Sequence, residues 1–165
     1  MKLKVQPLTG GAFELYGQVI AAPQTEATAH LPGMDFWVGV AELPDLGAPY
    51  SVSYATQEKR AIIQRSAERH MQTPELLMPI GGDMIVVVGA PDYPEQPERL
   101  PSPERFAAFW VKEGQGVIFK PGVWHWAPFA VKEKIMLLVV YTAGTAQNDA
   151  LVVDLPPEAV LEVEL

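Results

Sequence analysis

The sequence predicts an all-β protein, an antiparallel sandwich or a small barrel, on three observations. Its 13 glycines and 16 prolines are spread over the whole 165-residue chain, which demands many turns. The stretches between them are apolar or alternating, of strand length, and mostly rich in Val, Ile and aromatic residues. No succession of long helical patterns separates those stretches, so nothing is available to carry crossovers between parallel strands.

Each element follows in order. Thr9 reads as an N-cap, and Phe13 and Tyr16 lie three apart on one face of a helix of two turns at most, stopped by Gly17. Strands are expected at residues 36–42, 50–55, 60–65, 76–78, 83–88, 105–111, 116–119, 135–141 and 151–155. The third also fits a helical pattern, but Ala61-Ile62-Ile63 between Arg60 and Gln64 suits a half-buried strand at least as well. Pro91, Pro94, Pro97, Pro101 and Pro103 crowd one stretch too tightly for sheet or helix, which predicts an exposed connection. Pro156-Pro157 and Glu158 suit the start of a second short helix. No repeat or internal boundary interrupts the pattern, so one domain over residues 1–165 is expected.

Composition excludes several function classes. The apolar share is 48%, yet no apolar run reaches the ~18 residues of a membrane span, which predicts a globular protein without a membrane role. Met1-Lys2-Leu3-Lys4 leads straight into an alternating pattern with no apolar signal segment behind it, so export has no support. With no cysteine there is no disulfide, thiolate metal site or thiol nucleophile, and any metal needs His and carboxylate ligands. A net charge of −8 repels phosphate backbones and argues against a nucleic-acid partner. There is no Gly-Lys-Ser/Thr phosphate loop and no Gly-x-Ser-x-Gly elbow.

Imidazole is the usual metal ligand and the group that titrates near neutrality, so His30, His70 and His125 are the places to look. On a strand, Glu68 and His70 point to one face and Arg69 to the other. A bend at Pro74 can carry Glu75 back toward the same volume; the alternative is a solvated turn carboxylate. Gly116–Phe119 then reads as a strand entering a Pro121-Gly122 turn that aims His125 between aromatics. Trp110, Trp124 and Trp126 are either core or the apolar walls of a pocket. Lys120 and Arg65 are either surface cations or groups that meet a substrate carboxylate. His30 reads as a loop or interface residue.

Glu68-x-His70-x4-Glu75-x6-Gly82 followed by Pro121-Gly122-x-x-His125 resembles the paired motifs of cupins, double-stranded β-barrels of jelly-roll type whose His and Glu side chains hold a divalent metal. The sequence departs from that pattern with Ile62 for Gly, Glu68 for the first His and Phe129 for Asn. A narrower resemblance covers nearly the whole chain: Leu3…Pro7-Leu8-Thr9…Phe13…Tyr16-Gly17-Gln18-Val19-Ile20, then Glu68-Arg69-His70…Met78-Pro79, then Gly114-Gln115-Gly116-Val117…Gly122-Val123-Trp124-His125. These blocks resemble the ureidoglycolate lyase family, which splits ureidoglycolate into glyoxylate and urea in purine and allantoin catabolism. The family's Pro, Gln and second His are replaced here by Met71, Glu75 and Trp126.

The resemblance implies an all-β, cupin-like double-stranded β-barrel with one or two short helices, and a cytoplasmic homodimeric enzyme acting on a small hydroxy acid. It also implies Glu68, His70 and His125 as catalytic residues, with the same three, and Glu75 behind them, as ligands of a divalent metal such as nickel. Arg65, Lys120 and Trp124 would bind substrate. Alternatives are a cupin lyase or isomerase for another hydroxy, keto or sugar acid, and a small-acid binding module without turnover.

Overall fold

The computed structural model describes residues 1–165. Strand β1 (Lys2–Pro7) leads into helix α1 (Gly10–Phe13), β2 (Gly17–Ile20), the hairpin β3 (Ala29–Leu31) and β4 (Met34–Phe36), and the long β5 (Tyr50–Glu58). Then come β6 (Ile63–Gln64), β7 (Ser66–Arg69), β8 (Glu75–Ile80), β9 (Met84–Gly89), β10 (Phe106–Val111), β11 (Gly116–Phe119) and β12 (Phe129–Ala130). β13 (Lys134–Thr142), helix α2 (Thr145–Asn148), β14 (Leu151–Asp154) and β15 (Leu161–Glu164) complete the chain.

A six-stranded sheet in the order β12-β9-β10-β1-β15-β6 faces a five-stranded sheet in the order β2-β11-β8-β13-β5, the arrangement of a cupin-like β-barrel. β9 shows why it reads as an unbroken apolar run. Met84, Val86 and Val88 enter the core between the two sheets, while Ile85 and Val87 enter a second core behind the larger sheet, with Trp124, Phe129 and Leu161. α1 plugs one end of the inter-sheet core. Thr9 caps it by accepting from the Ala12 amide, and the fully buried Phe13 packs edge-on to Phe109 at 5.1 Å and near Tyr16 and Phe119. Burying such a ring contributes about 1.5–3 kcal/mol.

Several expectations are corrected. Residues 37–42 form no strand: Val38 is 64% exposed, Gly39 takes a positive φ of 66°, and the segment is tied instead by reciprocal bonds between the Gln18 amide and the Glu42 backbone. Their alternation is that of an exposed arm, with no partner strand to read it. Of residues 60–65 only Ile63–Gln64 is strand, because the Arg60 guanidinium holds the carbonyls of Ala127 and Pro128 and stacks on Phe129. The sheets are not wholly antiparallel: β1 lies parallel to both β10 and β15, since neither neighbour is next to it in sequence and no tight turn links them. No helix is long and apolar enough to cross a membrane.

Gly17 is required by close approach. A Cβ there would lie 1.8 Å from the Ile118 carbonyl oxygen, where β2 pairs with β11. We expect Gly17→Ala to lower the unfolding free energy in urea by at least about 2 kcal/mol, and Gly10→Ala, with open space around it, to change it by less than about 0.5 kcal/mol.

Candidate active site and metal centre

Residue 68 and residue 125 are joined by backbone before side chains enter. The Glu68 amide donates to the His125 carbonyl at 2.7 Å and the His125 amide to the Glu68 carbonyl at 2.8 Å. One residue upstream, Trp124 makes the same reciprocal pair with Gly89 at the end of β9. The Pro121-Gly122 turn supplies the reversal: Gly122 has φ 82°, open to glycine, and its amide donates to the His70 carbonyl at 2.6 Å.

Side chains then converge. The His70 Nδ1–H donates to the Asp149 carbonyl at 2.7 Å and the His125 Nδ1–H to the Val123 carbonyl at 3.0 Å, so in both rings Nε2 is the atom turned to the interior. Between them stands Glu75, the first residue of β8, with Oε2 3.3 Å from His70 Nε2 and 2.7 Å from His125 Nε2. Glu68 Oε1 lies 3.8 Å from His125 Nε2. Burial favours the neutral imidazole of His70, but the Glu75 carboxylate, with the Asp149 carbonyl and Glu68, outweighs it and raises the pKa to about 9. His125 is raised for a similar reason, burial being overcome by Glu75 and Glu68. Burial pushes the Glu75 carboxyl up, and the two imidazoles more than reverse this, holding it at about 2.

The donor set fits a divalent ion. Glu75 Oε2 and His125 Nε2 are both buried without a hydrogen-bond partner, although they lie within 2.7 Å of each other. Glu68, His70 and His125 each offer a ligand atom, all within 4.8 Å of one another. Two imidazoles with their Nδ1 atoms already engaged and two carboxylates make a set suited to Zn, Ni, Mn or Fe.

These groups sit on one side of a cavity of about 360 Å³. Leu77, Leu137, Val139 and Ala55 continue its lining along the five-stranded sheet that also carries Glu75, and Trp126 and Pro128 line it as well. No lysine or arginine lines it. The structure does not bring Arg65, Lys120 or Trp124 to this space. Arg65 is exposed at a strand end, where its carbonyl accepts from Leu155; the Lys120 ammonium donates to the Glu14 carbonyl at 2.6 Å; and Trp124 is fully buried in the second core. Of the three tryptophans expected around His125 only Trp126 lines the cavity, while the Trp110 indole donates to Asp83. His30 pairs with Asp35 on the exposed hairpin.

Arg69, on the opposite face from its neighbours, is fully buried and binds four carbonyls, those of Asp92, Tyr93, Gln96 and Pro97, while stacking 4.5 Å from Trp124. It fastens the proline-rich connection behind the site. Asp149 escapes sequence reasoning altogether: besides holding the His70 ring, its carboxylate accepts from the amides of Met71 and Gln72, and nothing local in the sequence links positions 79 residues apart. Gln57 and Tyr141, the cavity's uncharged polar side chains, show only as inward positions of their strands.

The Ureidoglycolate lyase family matches residues 1–162. The chain belongs to this family. It is 27% identical over 159 residues to the ureidoglycolate lyase of Azotobacter vinelandii, covering 88% of each chain. It is 30% identical over 158 residues to that of Pseudomonas savastanoi pv. phaseolicola, covering 89% of this chain and 86% of the relative. Among solved structures, oxalate decarboxylase of Bacillus subtilis, with Mn(II) centers, is similar at 17% identity and a TM-score of 0.44; the match takes in 64% of this chain and spans about a quarter (24%) of that one.

The linked pKa values predict how the metal-free fold responds to pH. A raised histidine stabilises fully below its free value of 6.5 and loses that contribution as pH climbs through about 9; a depressed glutamate stabilises fully above 4.5 and loses it toward about 2. In chelator, the thermal midpoint should therefore be higher at pH 5.5 than at pH 9.5, roughly one unit or more inside and just outside the window, and Glu75→Gln should flatten the difference.

Proposed function

We propose that this protein cleaves ureidoglycolate to glyoxylate and urea, as a cytoplasmic homodimer in purine and allantoin breakdown. What carries the reading is the convergence of Glu68, His70, Glu75 and His125 at one end of a cavity in a chain of this family. The reaction needs a proton taken from a hydroxyl and a proton delivered to a leaving nitrogen. Glu68 is the most exposed of the four, its side chain 27% accessible, and suits the mobile part. With Oε1 toward His125, its Oε2 takes the hydroxyl proton; the C=O bond forms as the C–N bond breaks, and the same carboxylate returns the proton to urea nitrogen. Glu75, held anionic, orients both imidazoles. The apolar wall excludes water that would compete for the proton.

The same four side chains would hold a divalent ion, nickel in this proposal, and when bound it would act as a Lewis acid that makes the substrate hydroxyl easier to ionise. Because His70, raised to about 9, carries a proton in its absence, metal uptake releases protons. Arg65, Lys120 and Trp124 take no part in this reading. Support for a second copy comes from the outward face of the five-stranded sheet, where Val52, Tyr54, Met136 and Ile80 stand uncovered with no charge among them.

Purified protein incubated with ureidoglycolate should release urea and glyoxylate in equal amounts. His125→Ala should lower that rate at least about 100-fold with little change in folding, and prolonged chelation should do the same, reversed by adding the ion. A wild-type protein that binds the acid without releasing urea would leave a binding module in place of an enzyme.

A further inference from the structure

The cavity is larger and less polar than ureidoglycolate requires. At interior packing density that substrate fills roughly 150 Å³, against about 360 Å³ in this open-mouthed cavity, a size within the range of pockets for much larger ligands. Its polar ureido end would need hydrogen-bond partners, and past the titratable cluster the walls offer few. On the inward face Leu77 follows Glu75 by two residues along β8, with Val139 beside it in register, and Leu137 and Ala55 form the next row, each row about 7 Å on. Gln57 is the next inward residue of β5 beyond Ala55.

We propose, resting on the carbon–nitrogen lyase reading above, that this protein also cleaves N-acyl-2-hydroxyglycines, in which an apolar acyl group takes the place of the urea carbonyl and amine. The reacting unit is unchanged: –NH–CH(OH)–COO⁻. Its hydroxyl loses a proton, the freed oxygen pair forms the C=O bond of glyoxylate, the C–N bond breaks, and the nitrogen keeps the pair of that broken bond and takes the proton, leaving a primary amide. No further reactant is needed. Binding follows from the walls, since Leu77, Val139, Leu137 and Ala55 gain contact from an acyl chain or ring and nothing from a urea.

The test compares N-benzoyl-2-hydroxyglycine with ureidoglycolate on the wild-type protein, reading glyoxylate above the buffer rate. The expected result is cleavage of the benzoyl compound with a kcat/KM at least equal to that for ureidoglycolate. Ala55→Phe, which fills the apolar row, should cut the ratio of the two at least tenfold, and an unchanged ratio would overturn the assignment of that wall. Turnover of ureidoglycolate alone overturns this inference and leaves the lyase reading standing. Turnover of the benzoyl compound alone upholds the inference and removes ureidoglycolate as the substrate, and turnover of neither overturns both.

Discussion

The reciprocal backbone bonds between Glu68 and His125 are the constraint on which the rest depends. They are not part of a strand ladder, yet they bind the end of β7 to the segment that follows β11, and the Trp124–Gly89 pair beside them ties that segment to β9. Backbone bonds of this kind fix direction as well as distance. Once Glu68 and His125 exchange backbone hydrogen bonds, their side chains, and that of His70 two residues after Glu68, share one volume, and Glu75 enters it from the five-stranded sheet.

That volume is costly for charge, and the fold compensates from several directions. Glu75 is nearly inaccessible and survives as an anion only because two imidazoles face it. The imidazoles are held in turn by carbonyls of Asp149 and Val123, which fix their tautomer and leave Nε2 for chemistry. Behind them the Arg69 guanidinium is satisfied by four carbonyls and one indole face, without any carboxylate, so it does not draw Glu68 or Glu75 away from the histidines. The site is thus built from neighbours with divided duties: in Glu68-Arg69-His70 the outer two face the cavity and the middle one anchors a loop.

Much of this was legible in the sequence because period-2 alternation and turn chemistry are local. The all-β class, the Thr9 cap with Phe13 and Tyr16, the Pro121-Gly122 reversal and the shared face of Glu68 and His70 each depend on residues a few positions apart. What was hidden depends on distant partners. Residues 37–42 alternate like a strand but meet no other strand, β1 finds parallel neighbours from far along the chain, and Asp149 reaches His70 from a turn with no marking of its own. Glu75 read equally as a turn residue, since only tertiary burial separates a solvated carboxylate from one locked between imidazoles. The two cations expected near an acid substrate lie elsewhere, Arg65 exposed at a strand end and Lys120 on the Glu14 carbonyl at the end of α1.

Four side chains from three separate stretches meet in the centre proposed to bind a metal ion and move protons. Calorimetric titration of the chelator-treated protein with a divalent transition ion tests it directly. The account predicts one ion per chain, proton release on binding, and affinity reduced at least about 10–100-fold in both His70→Ala and Glu75→Gln. Equal affinity in the wild type and both variants, or no saturable binding in any of them, would contradict it.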